Sequence, residues 1–471
     1  MLQNLRAMGV AAHPHISQSN YDWCGGKPFD IQKKTVELLT EHPRAYVLNS
    51  MGTGKTKCAL WAFDYLRRST SCRRMLVVAP LSTLRFTWGR EIFLTTPQYK
   101  FNVLHGTTEK RLKLLAEPTD IYIVNHDGLR IIADAVAKRP DIDVICIDEL
   151  ATYRNRTKKT RIAEDLCRRK PIVWGMTGAP TPNAPTDAFQ QAKIITPHTV
   201  PKYFGSFRDA TMYRINQFKF APRPGARETV LAALQPNVRF TLDDVMELPP
   251  FISRVTDVDM GPKQEQIYKA VKKDCYALLQ QGKIKAANAG AVMSKLLQIS
   301  LGWVYLDDKS VAQLDNEARN QALLDTVQAA ERKVLVFVPF KHALRGIHNL
   351  LGKNAISNAM VSGDTPLKER DEIFRAFQFG DDPKVIEAHP ECVSHGITLT
   401  AADTVIWYGP ITSTEIYDQA NARIRRVGQH SKQLFLHLQA TKSERHIYNL
   451  LMRKITIQDE LLKMLERESA P

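Results

Sequence analysis

Residues 48–60 read LNSMGTGKTKCAL. The run AYVLNS (45–50) overlaps its start and reads as a buried strand, and the segment after it is apolar along one helical face. Strand, glycine-rich turn and helix together describe a phosphate-binding loop. Glycines let the backbone approach an anion closely, and the amides at a helix start point at it. Lys55 is expected to reach the β- and γ-phosphates of a nucleotide, and the Thr56 hydroxyl to bind magnesium. The strict form of this loop has glycine where Asn49 stands, and the bland alternative is a tight turn before a helix.

A second signal lies downstream. DVICIDELA (143–151) is an apolar strand ending in Asp148-Glu149. An acid at such a strand end can hold magnesium, and the adjacent glutamate can orient and deprotonate an attacking water. A terminal acid pair at this distance after a phosphate loop is the expected second half of an ATPase site. A helix-capping pair is the alternative, and the buried strand before it argues against that.

The surrounding pattern sets the fold class. MLVVAP (75–80), IYIVN (121–125), VICID (144–148) and IVWGMTG (172–178) read, with 45–50, as buried parallel strands separated by helical stretches. Open α/β sheets place ligands at such strand ends. A second set follows: KVLVFVPF (333–340), NAMVSG (358–363), KVIEAHP (384–390), TVIWYGP (404–410) and LFLHLQ (434–439). Between the sets, APRPGARE (221–228) reads as a turn or loop. MELPPFISRV (246–255) reads as a linker, because paired prolines cannot continue a helix. Residues 263–300 read as helices. The expected architecture is α/β, with two tandem parallel-sheet lobes and helical additions between them.

Composition bounds the class. The chain has 471 residues, 65 Lys and Arg against 49 Asp and Glu, and a net charge of +16. That surplus favours a polyanionic partner. It clusters in RNRTKKTR (154–161), RRK (168–170) and RIRR (423–426). The 7 cysteines are scattered without metal-knuckle or redox spacing, as in reduced intracellular proteins. No apolar run approaches the ~18 residues of a membrane span, so no membrane partner is expected.

The second lobe offers YDQANARIRRVGQ (417–429). Read as a helix, it puts Gln419, Arg423 and Arg426 on one face and points Arg425 elsewhere. A guanidinium is always charged and matches phosphate oxygens in a fork, so Arg423 and Arg426 are candidates to stabilise a transferring γ-phosphate. A solvated basic helix face is the alternative.

These motifs, in this order, resemble a superfamily-two helicase motor of the Swi/Snf-like branch, in its compact phage and bacterial form. The resemblance runs from about residue 26 to 455. Gln32 in KPFDIQKKTVELL stands where the family reads adenine, and MGTGKT (51–56) where it has motif I. That branch shares only the Gly-x-Gly-Lys-Thr core, so Asn49 is no obstacle, although it departs from the Asp-Glu that usually precedes the Met. VVAPLSTLRFTWGREI (77–92), with Pro80 and Trp88, resembles motif Ia; IYIVNHDGL (121–129), motif Ib; DELATYRN (148–155), motif II; and MTGAPTPN (176–183), motif III. Leu150 and Ala151 depart from the usual Ala-His of motif II, which removes the usual histidine contact to motif III. Residues 333–344, 361–377 and 389–410 resemble motif IV, the segment that follows it, and motif V, with Thr398 in place of an Asn.

The resemblance implies RecA-like lobes: an extension at 1–25, an ATP-binding lobe at 26–246, and a second lobe at 247–471 with a helical insertion at about 262–300. It implies ATP and Mg2+ as cofactors. Gln32, Met51, Gly52, Thr53, Gly54, Lys55, Thr56 and Gln419 would bind nucleotide, Thr56 and Asp148 the metal. Lys55, Asp148, Glu149, Arg423 and Arg426 would do the chemistry, with ATP between the lobes. Ser82, Thr83, Asn125, His126, Lys341, Ser394 and His395 would contact nucleic-acid backbone, with little sequence preference and steep salt dependence. The function implied is a double-stranded DNA translocase that remodels or reanneals DNA or displaces bound protein. The alternatives are a strand-separating DNA or RNA helicase, with room for a pin hairpin in 200–235, and a nucleic-acid scaffold with a vestigial ATPase. A monomer in the cytoplasm of a bacterium or phage-infected host cell is expected, with targeting supplied by a separate protein.

Overall fold

The computed structural model describes residue 16 and residues 19–216, 220–241, 244, 249, 251–280, 286–305, 310–393, 397–426 and 428–453, with backbone alone at 86, 274–280 and 286–289. The chain divides into two units, Met1–Glu247 and Leu248–Pro471.

In the first unit the apolar runs form strands β1 (Arg44–Val47), β2 (Arg74–Ala79), β3 (Phe101–Val103), β4 (Ile121–Asn125), β5 (Ile142–Asp148) and β6 (Ile172–Met176). A hairpin, β7 (Met212–Arg214) and β8 (Phe220–Pro222), and a short strand, β9 (Asn237–Val238), follow. The main sheet has the order β3-β4-β2-β5-β6-β1-β9. Every pairing in it is parallel. Side chains alternate between two cores: Tyr46, Leu76, Val78, Ile145 and Ile147 face one layer of helices, and Val47, Val77, Cys146 and Trp174 the other. Burial on both faces explains why these strands read as unbroken apolar runs.

The second unit contains β10 (Phe251–Asp257), a hairpin of β11 (Trp303–Tyr305) and β12 (Val311–Gln313), then β13 (Lys333–Phe337), β14 (Asn358–Val361), β15 (Val385–Ala388), β16 (Ala402–Trp407) and β17 (Gln433–Gln439). Its main sheet, β10-β17-β16-β13-β15-β14, is also parallel throughout. The helices Pro262–Gln280 and Ala286–Ser300 occupy the stretch expected to be helical.

Two local expectations need correcting. The stretch 246–255 is not a linker throughout, because β10 begins at Phe251 and pairs with β17 over seven residues. Its residues are almost all exposed, so the edge strand buries no apolar face that a sequence pattern would reveal. In 221–228, Gly225 adopts φ 82° and caps a helix, Ala226–Ala233, that the turn-like composition hides.

Two buried polar groups tie the second unit together. Arg319 forks onto both carboxylate oxygens of Glu444 at 2.9 and 3.0 Å, and both side chains are almost fully buried. Glu444 also accepts from the Ser300 hydroxyl and the Thr441 amide, so it joins the helical addition to the start of the helix Lys442–Met452. His437, on β17, accepts from the Tyr417 hydroxyl at 2.7 Å. Burial lowers its pKa to about 4. No helix among the described residues is long and apolar enough to cross a membrane.

Because the folded pKa of His437 lies below the ordinary ~6.5, folding favours its neutral form. The stability this contributes is complete above about pH 6.5 and is lost as pH falls towards 4, by up to about 3 kcal/mol. In urea unfolding, His437→Gln should therefore lose stability less steeply than the parent chain over that window. Parallel pH profiles for the two proteins would rule this out.

Candidate nucleotide site and nucleic-acid interface

Between β1 and the helix Lys55–Ser69, Gly52 and Gly54 take φ of 81° and 83°, the left-handed region that glycine enters without strain. A Cβ on Gly54 would lie 2.4 Å from the Gln32 amide nitrogen. The φ is what calls for glycine here, and the Gln32 side chain lies directly over the position. Lys55 Nζ donates to the carbonyls of Asn49 (2.8 Å) and Ser50 (3.1 Å), so its ammonium lies over the start of the loop.

Asn49 has its own role. Its side chain is buried; Oδ1 accepts from the Phe240 amide at 2.9 Å and Nδ2 donates to Thr35 Oγ1 at 3.0 Å. It fastens the loop to the chain beyond β9 and to the helix Asp30–Glu41. Gln32 clamps the loop from the other side. Its Oε1 accepts from the Phe29 amide and its Nε2 donates to the Thr53 carbonyl, both at 3.0 Å. The structure thus engages the Gln32 amide within the protein, where the resemblance gives it adenine.

Asp148 ends β5, and register places it beside Met176 of β6, which on its other side pairs with Val47 of β1. The phosphate loop and the acid pair therefore leave strand ends separated by a single strand. Trp88 Nε1 donates to Asp148 Oδ2 at 3.0 Å. Glu149 adopts φ 59°, ψ 56°, a left-handed conformation that costs a non-glycine residue about 1–3 kcal/mol. Its Oε1 accepts from the Thr177 hydroxyl at 3.1 Å. Although motif II lacks its usual histidine, the second and third motifs are joined here through Glu149 and Thr177. A Cβ on Gly178 would stand 3.6 Å from the Asn49 carbonyl and 3.7 Å from Met51, so the same loop lies close to the phosphate loop.

The resemblance assigns magnesium to Thr56, in the first turn of the helix Lys55–Ser69, and to Asp148, at the end of β5. A hydroxyl and a carboxylate are the kind of donors such a cation takes in small number, completing its shell with phosphate and water.

In the second unit, the helix carrying Gln419 runs only from Thr414 to Asn421, so the expectation that Arg423 and Arg426 extend the same helix needs correcting. The physical reason is visible in the hydrogen bonds. Arg423 Nε donates to the Gln419 carbonyl at 2.8 Å, while the amides of Arg423 and Arg426 turn to Ala420 and Ile424. The chain tightens into successive turns. Arg423 and Arg426 nevertheless stay together, both donating to the Ile397 carbonyl, at 3.4 and 2.9 Å. Gln419 is buried, with Nε2 donating to Glu415. Arg425 lies elsewhere, its guanidinium 4.3 Å from the centre of the Phe251 ring.

The candidate nucleic-acid contacts divide. Ser82 lies half-exposed in the 3-10 turn Leu81–Thr83, and Lys341 opens a helix with its ammonium 2.8 Å from Asp364. Thr83 is buried, with its hydroxyl on the Pro80 carbonyl. Asn125 accepts from the buried Arg111, and His126 is buried against the Tyr153 hydroxyl. These three serve the loops' internal structure. Ser394 and His395 lie outside the described residues.

Sequence reasoning passed over the donor of Trp88, the hydroxyl of Thr177 and the tie from Asn49 to Phe240. The first two stood in quoted motifs. The last joins residues 191 apart and leaves no local signal.

The model of the SNF2-related domain matches residues 32–305, and that of the helicase conserved C-terminal domain matches residues 318–428. A putative protein p41 of Acyrthosiphon pisum secondary endosymbiont phage 1 is 26% identical, over 94% of this chain and 99% of that one. An uncharacterized ATP-dependent helicase of Mycoplasma pneumoniae is 24% identical, over 84% of this chain and 38% of its own length. The SWI/SNF-related matrix-associated actin-dependent regulator of chromatin subfamily A-like protein 1 of Xenopus laevis is 22% identical, over 89% and 42%. The chain thus spans nearly all of the phage relative and well under half of the other two.

Removing the Thr177 hydroxyl should release Glu149. For Thr177→Val we expect kcat for ATP to fall about tenfold or more, with KM within about twofold and Thr177→Ser close to the parent, since a hydrogen bond to a charged group is worth ~1.5–3 kcal/mol. Steady-state ATPase assays check this.

Proposed function

The chain belongs to the SNF2-related domain family and is an ATP hydrolase of helicase type; from that premise we propose that it is a motor that tracks double-stranded DNA without separating the strands, and so remodels or reanneals DNA or displaces bound protein. The observation that carries the motor reading is the joint placement of the phosphate loop and the Asp148–Glu149 pair at the ends of the two strands that flank β6, with Thr177 linking to the pair. Duplex as the track is supported by similarity to a SWI/SNF-related protein across 89% of the chain and by the basic surplus of +16.

In this reading the loop Met51–Thr56 cradles the phosphates, Gln32 and Gln419 border the nucleotide, and Lys55 neutralises the β- and γ-oxygens. Thr56 and Asp148 would hold Mg2+, which supplies further charge neutralisation on those oxygens when bound. Glu149, held by Thr177, orients and deprotonates the attacking water. Arg423 and Arg426 leave the Ile397 carbonyl to meet the charge on the transferring phosphoryl group. The cycle becomes movement if the grip on the DNA backbone differs before and after hydrolysis. Of the candidate contacts among the described residues, Ser82 is half-exposed and Lys341 exposed, as such contacts require; Ser394 and His395 belong to the same proposal, and the basic stretch 154–161 would extend the track.

One observation favours a second reading, strand separation. The hairpin β7–β8 falls within 200–235 and exposes Tyr213, Arg214 and Ile215.

Two measurements test the proposal. The chain should displace the third strand of a triplex while leaving the duplex strands paired. Displacement of the duplex strand alone would establish the second reading instead. ATP turnover should rise with duplex, and Arg426→Ala should lower it by on the order of 10³ or more. Turnover indifferent to DNA and to that substitution would leave only a nucleic-acid scaffold.

A further inference from the structure

Trp88 is fully buried, and its indole N–H is directed at a carboxylate. Burial alone requires that this N–H find an acceptor, and any backbone carbonyl would serve. The acceptor found is Oδ2 of Asp148, on the strand next to the one that leads into Trp88's own segment. A hydrogen bond to a charged acceptor is roughly twice as strong as a neutral one, so this pairing holds the carboxylate as much as it satisfies the indole.

The segment itself is unusual. Leu84–Gly89 is a π-helical turn placed between the 3-10 turn Leu81–Thr83 and the α-helix Arg90–Thr95. Such turns are rare and concentrate at functional sites. Here the wide turn is packed closely. Leu84, Trp88 and Ile92 are buried in the same core layer as Val77 and Cys146. A Cβ on Gly89 would stand 3.2 Å from the Phe101 ring. The indole has little freedom to follow a different carboxylate rotamer. Four residues of this segment separate Thr83 from Trp88, so the exposed Leu81 and half-exposed Ser82 are joined to Asp148 by one short, closely packed path.

We propose that Trp88 is a positioning residue for Asp148: its indole N–H fixes the carboxylate for the metal that accompanies ATP, and ties that carboxylate to the turn Leu81–Thr83. The inference rests on the reading of Asp148 as a metal-holding acid. It assigns to Trp88 no contact with nucleotide or metal; it acts through the carboxylate.

The test measures binding without turnover. A fluorescent, non-hydrolysable ATP analogue is titrated into the full chain at increasing Mn2+, for the parent, for Trp88→Phe, and for a chain carrying 3-benzothienylalanine at position 88, which keeps the ring volume and lacks the N–H. Both variants should need about tenfold more Mn2+ for half-maximal binding, with affinity for the metal-free analogue unchanged. Duplex DNA should shift the Mn2+ requirement of the parent and leave that of both variants where it was. If the phenylalanine variant alone is impaired, ring packing rather than the hydrogen bond is responsible and the proposal is overturned. An unchanged Mn2+ requirement in both variants overturns it too. If the parent binds the analogue without regard to Mn2+, or Lys55→Ala binds it equally well, the reading of the site itself has failed, and this inference with it.

Discussion

Met176 pairs with Val47 on one side and with Asp148 on the other, and the site depends on that register. Parallel strands lie ~4.8 Å apart, so two chain segments that leave the sheet on either side of β6 start about 10 Å from each other. One becomes the glycine loop, the other the acid pair, and the segment leaving β6 itself supplies Thr177 and Gly178 between them. A slip of one residue in the β5–β6 pairing would turn the strand's side chains to the opposite core and shift Asp148 relative to Met176. Because the two cores are lined by different side chains, such an exchange would disturb close packing on both faces.

Around that register the chain uses short polar ties rather than surface ion pairs. Gln32, Trp88 and Thr177 each place one hydrogen bond on a residue of the site from a different element of the first unit, and Asn49 at the start of the loop accepts from the Phe240 amide. Most are buried or half-buried, where a lost partner is costly. Glu149 shows what such ties make possible. A left-handed glutamate persists because the strand before it and Thr177 beside it hold it there. In the second unit, the Ile397 carbonyl plays a comparable part by gathering two guanidinium groups that the backbone no longer aligns as a helix.

Much of this was legible in the amino-acid order. Strands such as Ile121–Asn125 and Ile172–Met176 are buried on both faces, so they announce themselves as continuous apolar runs. Strand β10 did not, because an exposed edge strand carries no such run, and the prolines before it suggest a linker. The pairing of Arg423 with Arg426 was legible from spacing, but not the end of the helix at Asn421. That end comes from Arg423 taking the Gln419 carbonyl with its side chain, a competition that helical periodicity does not register. The motif positions of Thr83, Asn125 and His126 suggest outward contacts; the engagement of their polar groups inside the unit depends on neighbours such as Arg111 and Tyr153 that no local pattern names.

The sequence by itself determined the α/β class, the phosphate loop and the acid pair, since each is written in contiguous residues whose chemistry and spacing are local. Only the tertiary structure decided what holds them. The Asn49 amide meets Phe240, and the Trp88 indole meets Asp148, across separations of 191 and 60 residues. Hydrogen bonds of that kind exist only once parallel pairing and two-sided burial have brought distant strand ends together, and neither partner carries a mark of the other in the chain.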